Sequence, residues 1–406
     1  MNLDLQYIKF SAYGFLKNLR FFDAFLLLFF LDNGISYSQI GILYASREII
    51  TNISEIPSGI IADSYGRKSA LLSSFLIYIL SFVAFYYSTD FVLLLLGMTM
   101  FGLGDALRSG VHKGMIMDYL RLNKREDEKI SYYGSTRSWS QRGSALSALV
   151  AGFIVLYSGN YRLIYILSVI PYLVNFINIY TYPDNLNHSI KKKQREEFST
   201  KNVIKNVIVT LKKRRVFQVV NSSALHSAFI KSIKDYIQPF LLQLAILIPI
   251  FVDLDDKSRS GLVVGIVYFF IFLLTSWASR NSYKLLSFKI DKIELKTLMA
   301  GLFIGVVCGV SIYFEWYWLA VIFFIMIYVI ENLRKPILTG FLADNVPNEI
   351  LTSVISTESF YKTMATSIFA IMIGVFSDFF GVGMALLALS LFLILVTLLL
   401  ERRIAK

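Results

Sequence analysis

The 406-residue sequence contains one cysteine, seven prolines and three histidines, and only 17% of its residues are charged. The single Cys308 excludes an intrachain disulfide, a redox thiol pair and a cysteine-based metal cluster. Inside the apolar run 297–313 it reads as a small packing residue. So little charge excludes a water-soluble body of this size, which needs nearer a quarter of its residues charged to coat its surface. There is no GxxxxGK[ST] stretch, no HExxH, no metal-spaced cluster and no Ser/His/Asp set. An ATP site, a metal centre, a cofactor and a hydrolytic apparatus are therefore not expected, and the chain does not read as an enzyme. The N-terminus, MNLDLQYIKFSAYGFLKNLRFF, lacks the short apolar core and small-residue cleavage site of a secretory leader, so the first apolar segment is expected to stay.

Apolar residues are what the chain has in excess: 56% are hydrophobic, with 34 Phe and 24 Tyr, and the mean hydropathy is +0.60. A membrane helix needs roughly 20 residues to cross the hydrocarbon core. Twelve segments qualify as spans: 11–31, 39–61, 70–88, 91–117, 135–157, 162–180, 217–248, 261–280, 297–314, 316–334, 355–376 and 381–400. The predicted fold class is thus an all-α membrane protein of twelve transmembrane helices. Trp316 and Trp318, at a span end, read as interface anchors.

The net charge of +12 is distributed by side. One set of connections is short and nearly free of Lys and Arg. The other set holds DSYGRK, RLNKREDEK, RNSYKLLSFKIDKIELK, the tail ERRIAK and a long central loop. From Asp184 to Arg215 that loop has ten basic residues against three acids. An excess of Lys and Arg marks the cytoplasmic face, and an even number of spans places both termini there. The expected location is the cell membrane, with a bacterial inner membrane the preferred reading. The loop also divides the chain into six-helix halves, 1–183 and 216–406, joined by a basic linker at 184–215. Within the linker KNVIKNVIVTLKKRR has apolar residues at helical spacing, as a helix on an anionic membrane surface or an interdomain connector would. Nucleic acid is not an expected partner.

Between the second and third spans the sequence reads Gly59-Ile-Ile-Ala-Asp63-Ser-Tyr-Gly66-Arg67-Lys68. Physically, Gly59 would permit close approach of a neighbouring helix and Gly66 a tight turn, while Asp63 could pair with Arg67 or with the N–H groups of a helix end. This pattern, with twelve spans and a basic middle loop, resembles the signature loop of the major facilitator superfamily. The resemblance extends over essentially the whole chain and implies two six-helix bundles. It also implies a gating role for Gly59, Asp63, Gly66, Arg67 and Lys68. The corresponding loop after the eighth span, SWASRNSYKLL, lacks the pattern. The stretches NLRFFDAFLLLFFLDNGISYSQIGIL, SEIPSGIIAD and GLGDALRSGVHKGMIMD resemble a bacterial branch rich in drug and small-molecule exporters. Where that branch often carries a carboxylate pair after Ser-Gly, this chain has His112 and Lys113.

Ionisable residues are costly at membrane depth and usually face a bundle interior or an aqueous cavity. Many lie inside the spans: Asp23; Arg47, Glu48 and Glu55; Asp105, Arg108 and His112; Arg137 and Arg142; His226, Lys231, Lys234 and Asp235; Glu331 and Arg334; Glu358 and Lys362. By the resemblance, the first, fourth, seventh and tenth spans line a central cavity. Asp23, Asp105, Arg108, Lys231, Lys234 and Asp235 are then its leading residues, with Tyr236 as a wall. Arg108 is a candidate anchor for an anionic group. Asp23 and Asp105 are candidate proton carriers or cation ligands, with structural ion pairs as the rival reading. Glu48 and Glu55, seven residues apart on one helical face, are read for proton handling or for packing against an arginine. His112 is a candidate switch, while His226 is read as structural.

The expected function is secondary active transport by alternating access. The preferred form is a proton-coupled exporter (antiporter) of a small polar or charged organic molecule. The alternatives are a proton-coupled importer (symporter) of a polar nutrient and, in another class, a non-transporting membrane receptor or scaffold. One such chain can enclose its own pathway, so a monomer among membrane lipids is expected.

Overall fold

The structure, a computed structural model, describes residues 4–187, 200–248, 253–287 and 291–405, and all regular elements among them are helical. The first half comprises α1 (Leu5–Lys17), α2 (Leu26–Asp32), α3 (Tyr37–Tyr65), α4 (Arg67–Tyr87), α5 (Phe91–Arg108), α6 (Val111–Leu122), α7 (Lys129–Ser158) and α8 (Leu163–Tyr180). After these come α9 (Thr200–Leu211), α10 (Arg214–Ile233), α11 (Gln238–Leu247), α12 (Asp256–Asn281), α13 (Tyr283–Ser287), α14 (Ile293–Tyr313), α15 (Tyr317–Asn345) and α16 (Asn348–Ala405).

Apart from α9, which lies in the linker, these helices make twelve spans. α16 contains two, because Gly381 at φ 79° interrupts its 58 residues. Among the described residues, seven helical stretches are long and apolar enough to cross a membrane by themselves, including α4, α8, α14 and α15. The second and fifth spans, α3 and α7, are continuous but charged. The first and seventh are broken, each into two shorter helices.

The first, fourth and seventh spans are each interrupted. In the first, Asn18 closes α1 by donating from Nδ2 to the Gly14 carbonyl (2.7 Å), and a 3-10 turn over Phe21–Ala24 precedes α2. In the fourth, Gly110 takes the left-handed conformation (φ 71°) between α5 and α6, a region a β-carbon disfavours. In the seventh, a 3-10 turn over Lys234–Ile237 separates α10 from α11. Interrupted helices free backbone polar groups, and at membrane depth such backbone is tolerated only where protein or a cavity receives it.

By contacts the chain divides into two compact units. One is Met1–Asn33, Ser46–Glu196 and Ala245–Phe272; the other is Gly34–Ala45, Glu197–Leu244 and Leu273–Lys406. The main break thus falls between Glu196 and Glu197, and the first part of α3 and much of α12 each belong to the unit of the other sequence half. In the first unit α4 packs on α5 and α8, and α1 on α7 and α8. In the second, α14 and α10 pack on α16 and α15. Lipid tails are as apolar as leucine, so helices here associate through close packing and hydrogen bonds rather than through exclusion of water. Ser74 and Ser81 of α4 accordingly donate to the Gly104 and Gly97 carbonyls of α5.

Two further expectations change. α9 is helical as the spacing predicts, but it does not simply lie on a surface. Its Val207 and Leu211 pack against the second unit's cluster of Val216, Val219, Val220, Leu338 and Leu342, while Ile208 and Val209 stay exposed. Gly59 serves no close helix contact: a β-carbon there would meet nothing within 4 Å among the described residues.

Candidate solute-binding site

The first unit is built around one carboxylate. At Gly102, α5 approaches α3 so closely that a β-carbon would sit 2.8 Å from the Arg47 carbonyl. This approach brings Arg47 over the Phe101 ring (4.4 Å) and onto Asp105 Oδ2 (2.8 Å). Asp105 Oδ1 accepts from the Tyr78 hydroxyl (2.6 Å) and from Arg108 Nη2 (3.1 Å), with Arg20 Nη2 at 3.8 Å. Arg20 comes from the break in the first span, lies over Phe101 (5.1 Å) and donates from Nε to Tyr172. One acid therefore ties together the first four spans through three guanidiniums and a phenol. Both of its oxygens are engaged, which leaves the role of structural ion pair satisfied and no oxygen open to a cation.

Arg108 connects this hub to a cavity of about 380 Å³ lined by α1, α6, α7 and the break before α6. Small-molecule sites commonly run from about 300 to 1,000 Å³. Lys17, Arg108, Lys113 and Arg137 line it together with His112, and no carboxylate does. The His112 ring stacks on Tyr13, with centroids 3.5 Å apart and planes at 9°, and its Nε2 lies 3.2 Å from the Tyr182 hydroxyl. Lys113 sits over the Tyr133 ring at 5.4 Å.

Of the predicted site residues, Asp105, Arg108 and His112 are gathered here. Glu55 accepts from Ser109 at the break in the fourth span (2.7 Å), Glu48 is buried, and Asp23 occupies the turn beside Arg20. Lys231, Lys234, Asp235 and Tyr236 lie in the second unit. There Lys234 Nζ is 3.7 Å from Asp235, and Tyr236 is fully buried and stacked on Tyr37. Tyr236 is thus a packing residue in this structure and does not line the cavity beside the Asp105 hub.

The signature loop is clamped within the first unit. Gly66 has φ 103°, and the Arg67 N–H donates to the Asn187 carbonyl (2.6 Å) while the Lys68 N–H donates to Asn187 Oδ1 (3.0 Å). Arg67 pairs with Asp118 of α6, and Lys68 Nζ reaches the Tyr182 carbonyl and Asp184. The Asp63 side chain lies outside the described residues.

Sequence reading passed over Arg20, Tyr78, Lys17 and Tyr13. The first two converge on Asp105 only through tertiary packing, and the others are set apart by nothing in the local pattern. It also undervalued the second unit's buried pair. His226 is fully buried, with Nδ1 2.7 Å from Glu331 Oε2, and Ser227 donates to the other Glu331 oxygen. Arg334 donates to the Ser222 hydroxyl (2.6 Å) and to Thr297 (2.9 Å). Among the described residues no group of three or more His, Cys, Asp or Glu is arranged to hold a metal.

Comparison with known proteins agrees with the architecture. The family model described as Major Facilitator Superfamily matches residues 15–363. A Bacillus subtilis (strain 168) protein described as an uncharacterized MFS-type transporter, YxaM, is 23% identical over 376 residues, covering 92% of this chain and 89% of its own. The crystal structure of the nucleoside transporter NupG superposes with a TM-score of 0.72 at 13% identity over all of both chains. A bacterial homologue of the lysosomal transporter Spinster, inward-facing and unoccupied, gives 0.71 at 13% identity, covering 98% of this chain and 96% of that one. A D-xylose-proton symporter gives 0.63 at 13% identity over 95% of each. At such identities the structural likeness establishes the fold alone. The matched family model extends over most of the chain and carries the assignment: this multi-pass membrane protein belongs to the Major Facilitator Superfamily, and its class of activity is secondary active transport, not enzymatic catalysis.

Proposed function

We propose that the protein is a proton-coupled exporter of a small polar or charged organic molecule, working by alternating exposure of a central site. The observation that carries this reading is the cavity against the Asp105 hub, where side chains too costly to bury for packing alone are concentrated around about 380 Å³ of space. In this reading the halves 1–183 and 216–406 are the moving bodies, the basic loops and both termini are cytoplasmic, and the chain acts as a monomer. The Arg67 loop is the gate.

Export is favoured by the resemblance of the first two spans to exporter sequences. The proton is favoured because the chain has no nucleotide-binding sequence and carries acids inside its spans, with Asp23, Glu48 and Glu55 as the candidate carriers. The likeness in fold to a D-xylose-proton symporter makes proton-driven import of a polar nutrient the second reading.

Proteoliposomes loaded with a pH-sensitive dye provide the test. A candidate solute added against an imposed proton gradient should alter the dye signal only when protein is present, and the sign of the change distinguishes antiport from symport. If solutes that bind the protein cross the membrane without moving protons, the coupling assignment is wrong; if none crosses, transport of that solute class is wrong.

A further inference from the structure

The cavity's charge is of one sign. Lys17, Arg108, Lys113 and Arg137 line it, and no carboxylate does. Lys17 Nζ and the Arg137 guanidinium have no hydrogen bond or ion pair to any described residue. Arg108 uses Nε on Tyr78 and Nη2 on Asp105 while still lining the cavity. Asp105 cannot neutralise the set, because its oxygens are shared among Arg20, Arg47, Arg108 and Tyr78. The Tyr13 hydroxyl, itself buried, lies close beside Arg108. Gly110, in the left-handed conformation on the cavity wall, immediately precedes α6, so the positive end of that twelve-residue helix opens there too.

Lys17 and Arg108 are half-buried while Lys113 and Arg137 are exposed, so the cavity is open to solvent, and like charges gathered around one space repel one another and favour a counter-charge between them. From this geometry we infer that the cavity binds a small organic anion through a carboxylate or phosphate group. Lys17, Arg108 and Arg137 hold the charged group, and the Tyr13–His112 stack with Phe10 and Tyr133 covers an apolar or planar remainder. Guanidinium and ammonium donors match carboxylate and phosphate oxygens in charge-assisted hydrogen bonds. The same chemistry would also hold the headgroup of an anionic lipid; the free solute is the source assigned here, since the cavity volume matches a small molecule. This inference rests on the transport reading above and narrows its solute to an anion.

The test uses purified full-length protein in a neutral detergent and compares benzoate, benzyl phosphate, benzamide and benzylamine by thermal unfolding. A ligand of the folded form raises the apparent stability by mass action. Benzoate or benzyl phosphate should raise Tm in a saturable way, and benzamide and benzylamine should not. K17Q and R137Q should each weaken the anion roughly ten- to a hundredfold, as expected for one charge-assisted hydrogen bond. K17R, which keeps the charge, should restore most of the affinity and shows whether a failing K17Q has merely misfolded. Stabilisation by benzylamine or benzamide that K17Q and R137Q leave unchanged overturns the anion assignment. So does stabilisation by phosphatidylglycerol alone, with no response to either free anion. An anion that binds as expected but is not moved across proteoliposomes leaves the site standing and removes the transport reading. Transport of an uncharged solute only does the reverse.

Discussion

Asp105 is the residue on which most of the first unit converges. Removing one partner of a buried ion pair is far more damaging than replacing the pair, because it leaves a charge without compensation. D105N keeps the shape but leaves Arg20, Arg47 and Arg108 facing one another, so it should lower the unfolding free energy by about 3–5 kcal/mol. Guanidinium or thermal unfolding of the purified protein reads this directly; a loss below about 1 kcal/mol, the worth of an exposed pair, would mean that the hub is solvated. His226 is a second informative residue. Gly301 faces its ring so closely that a β-carbon would overlap Nε2. G301A must therefore displace the imidazole from Glu331, at the roughly 1–3 kcal/mol typical of overpacking. A neutral outcome in the same unfolding assay would show that the pair has room to move.

At the scale of elements, each of the three interrupted spans carries charges at its break. Arg20 and Asp23, Arg108 and His112, and Lys234 and Asp235 each lie at a break in the first, fourth or seventh span. A break lets a side chain leave the regular helical spacing and lets free backbone groups meet a polar neighbour. The start of α3 is fixed differently. Asp378, near the end of the eleventh span, accepts from the Tyr37 N–H (2.9 Å) and the Ser38 N–H (2.8 Å), as an N-cap supplied from another helix. D378A removes both acceptors and should cost about 1 kcal/mol, the usual worth of a cap. Hydrogen exchange at the Tyr37 and Ser38 amides should accelerate, and unchanged protection there would contradict the cap.

At the scale of the whole molecule, the prediction concerns the signature loop. Gly66, Arg67 and Lys68 are tied to Asp118, Tyr182 and Asn187, none of which itself lines the cavity. If the loop gates rather than binds, R67Q should leave the benzoate-induced rise in Tm unchanged and slow transport into proteoliposomes. Loss of the Tm response together with transport would assign the loop to the site instead.

The twelve spans, the all-helical class and the signature loop were legible in the sequence because each depends on composition, length or spacing along the chain. Twenty apolar residues must cross a bilayer wherever they fold, and Gly66 must turn whatever surrounds it. The charged residues inside the spans were legible too, as a set, because burying a charge in lipid demands a reason. Which charge meets which was not. Asp105 gathers arginines 85, 58 and 3 positions away, Arg20, Arg47 and Arg108, and the sequence carries no sign of that convergence. Nor did it mark Lys17 and Arg137, far apart in sequence, as walls of one cavity, or place Tyr236 in packing rather than at that cavity. Pairing distance is set by how helices cross, at contacts such as Gly102 against Arg47, and that is a property of packing among spans rather than of any span alone.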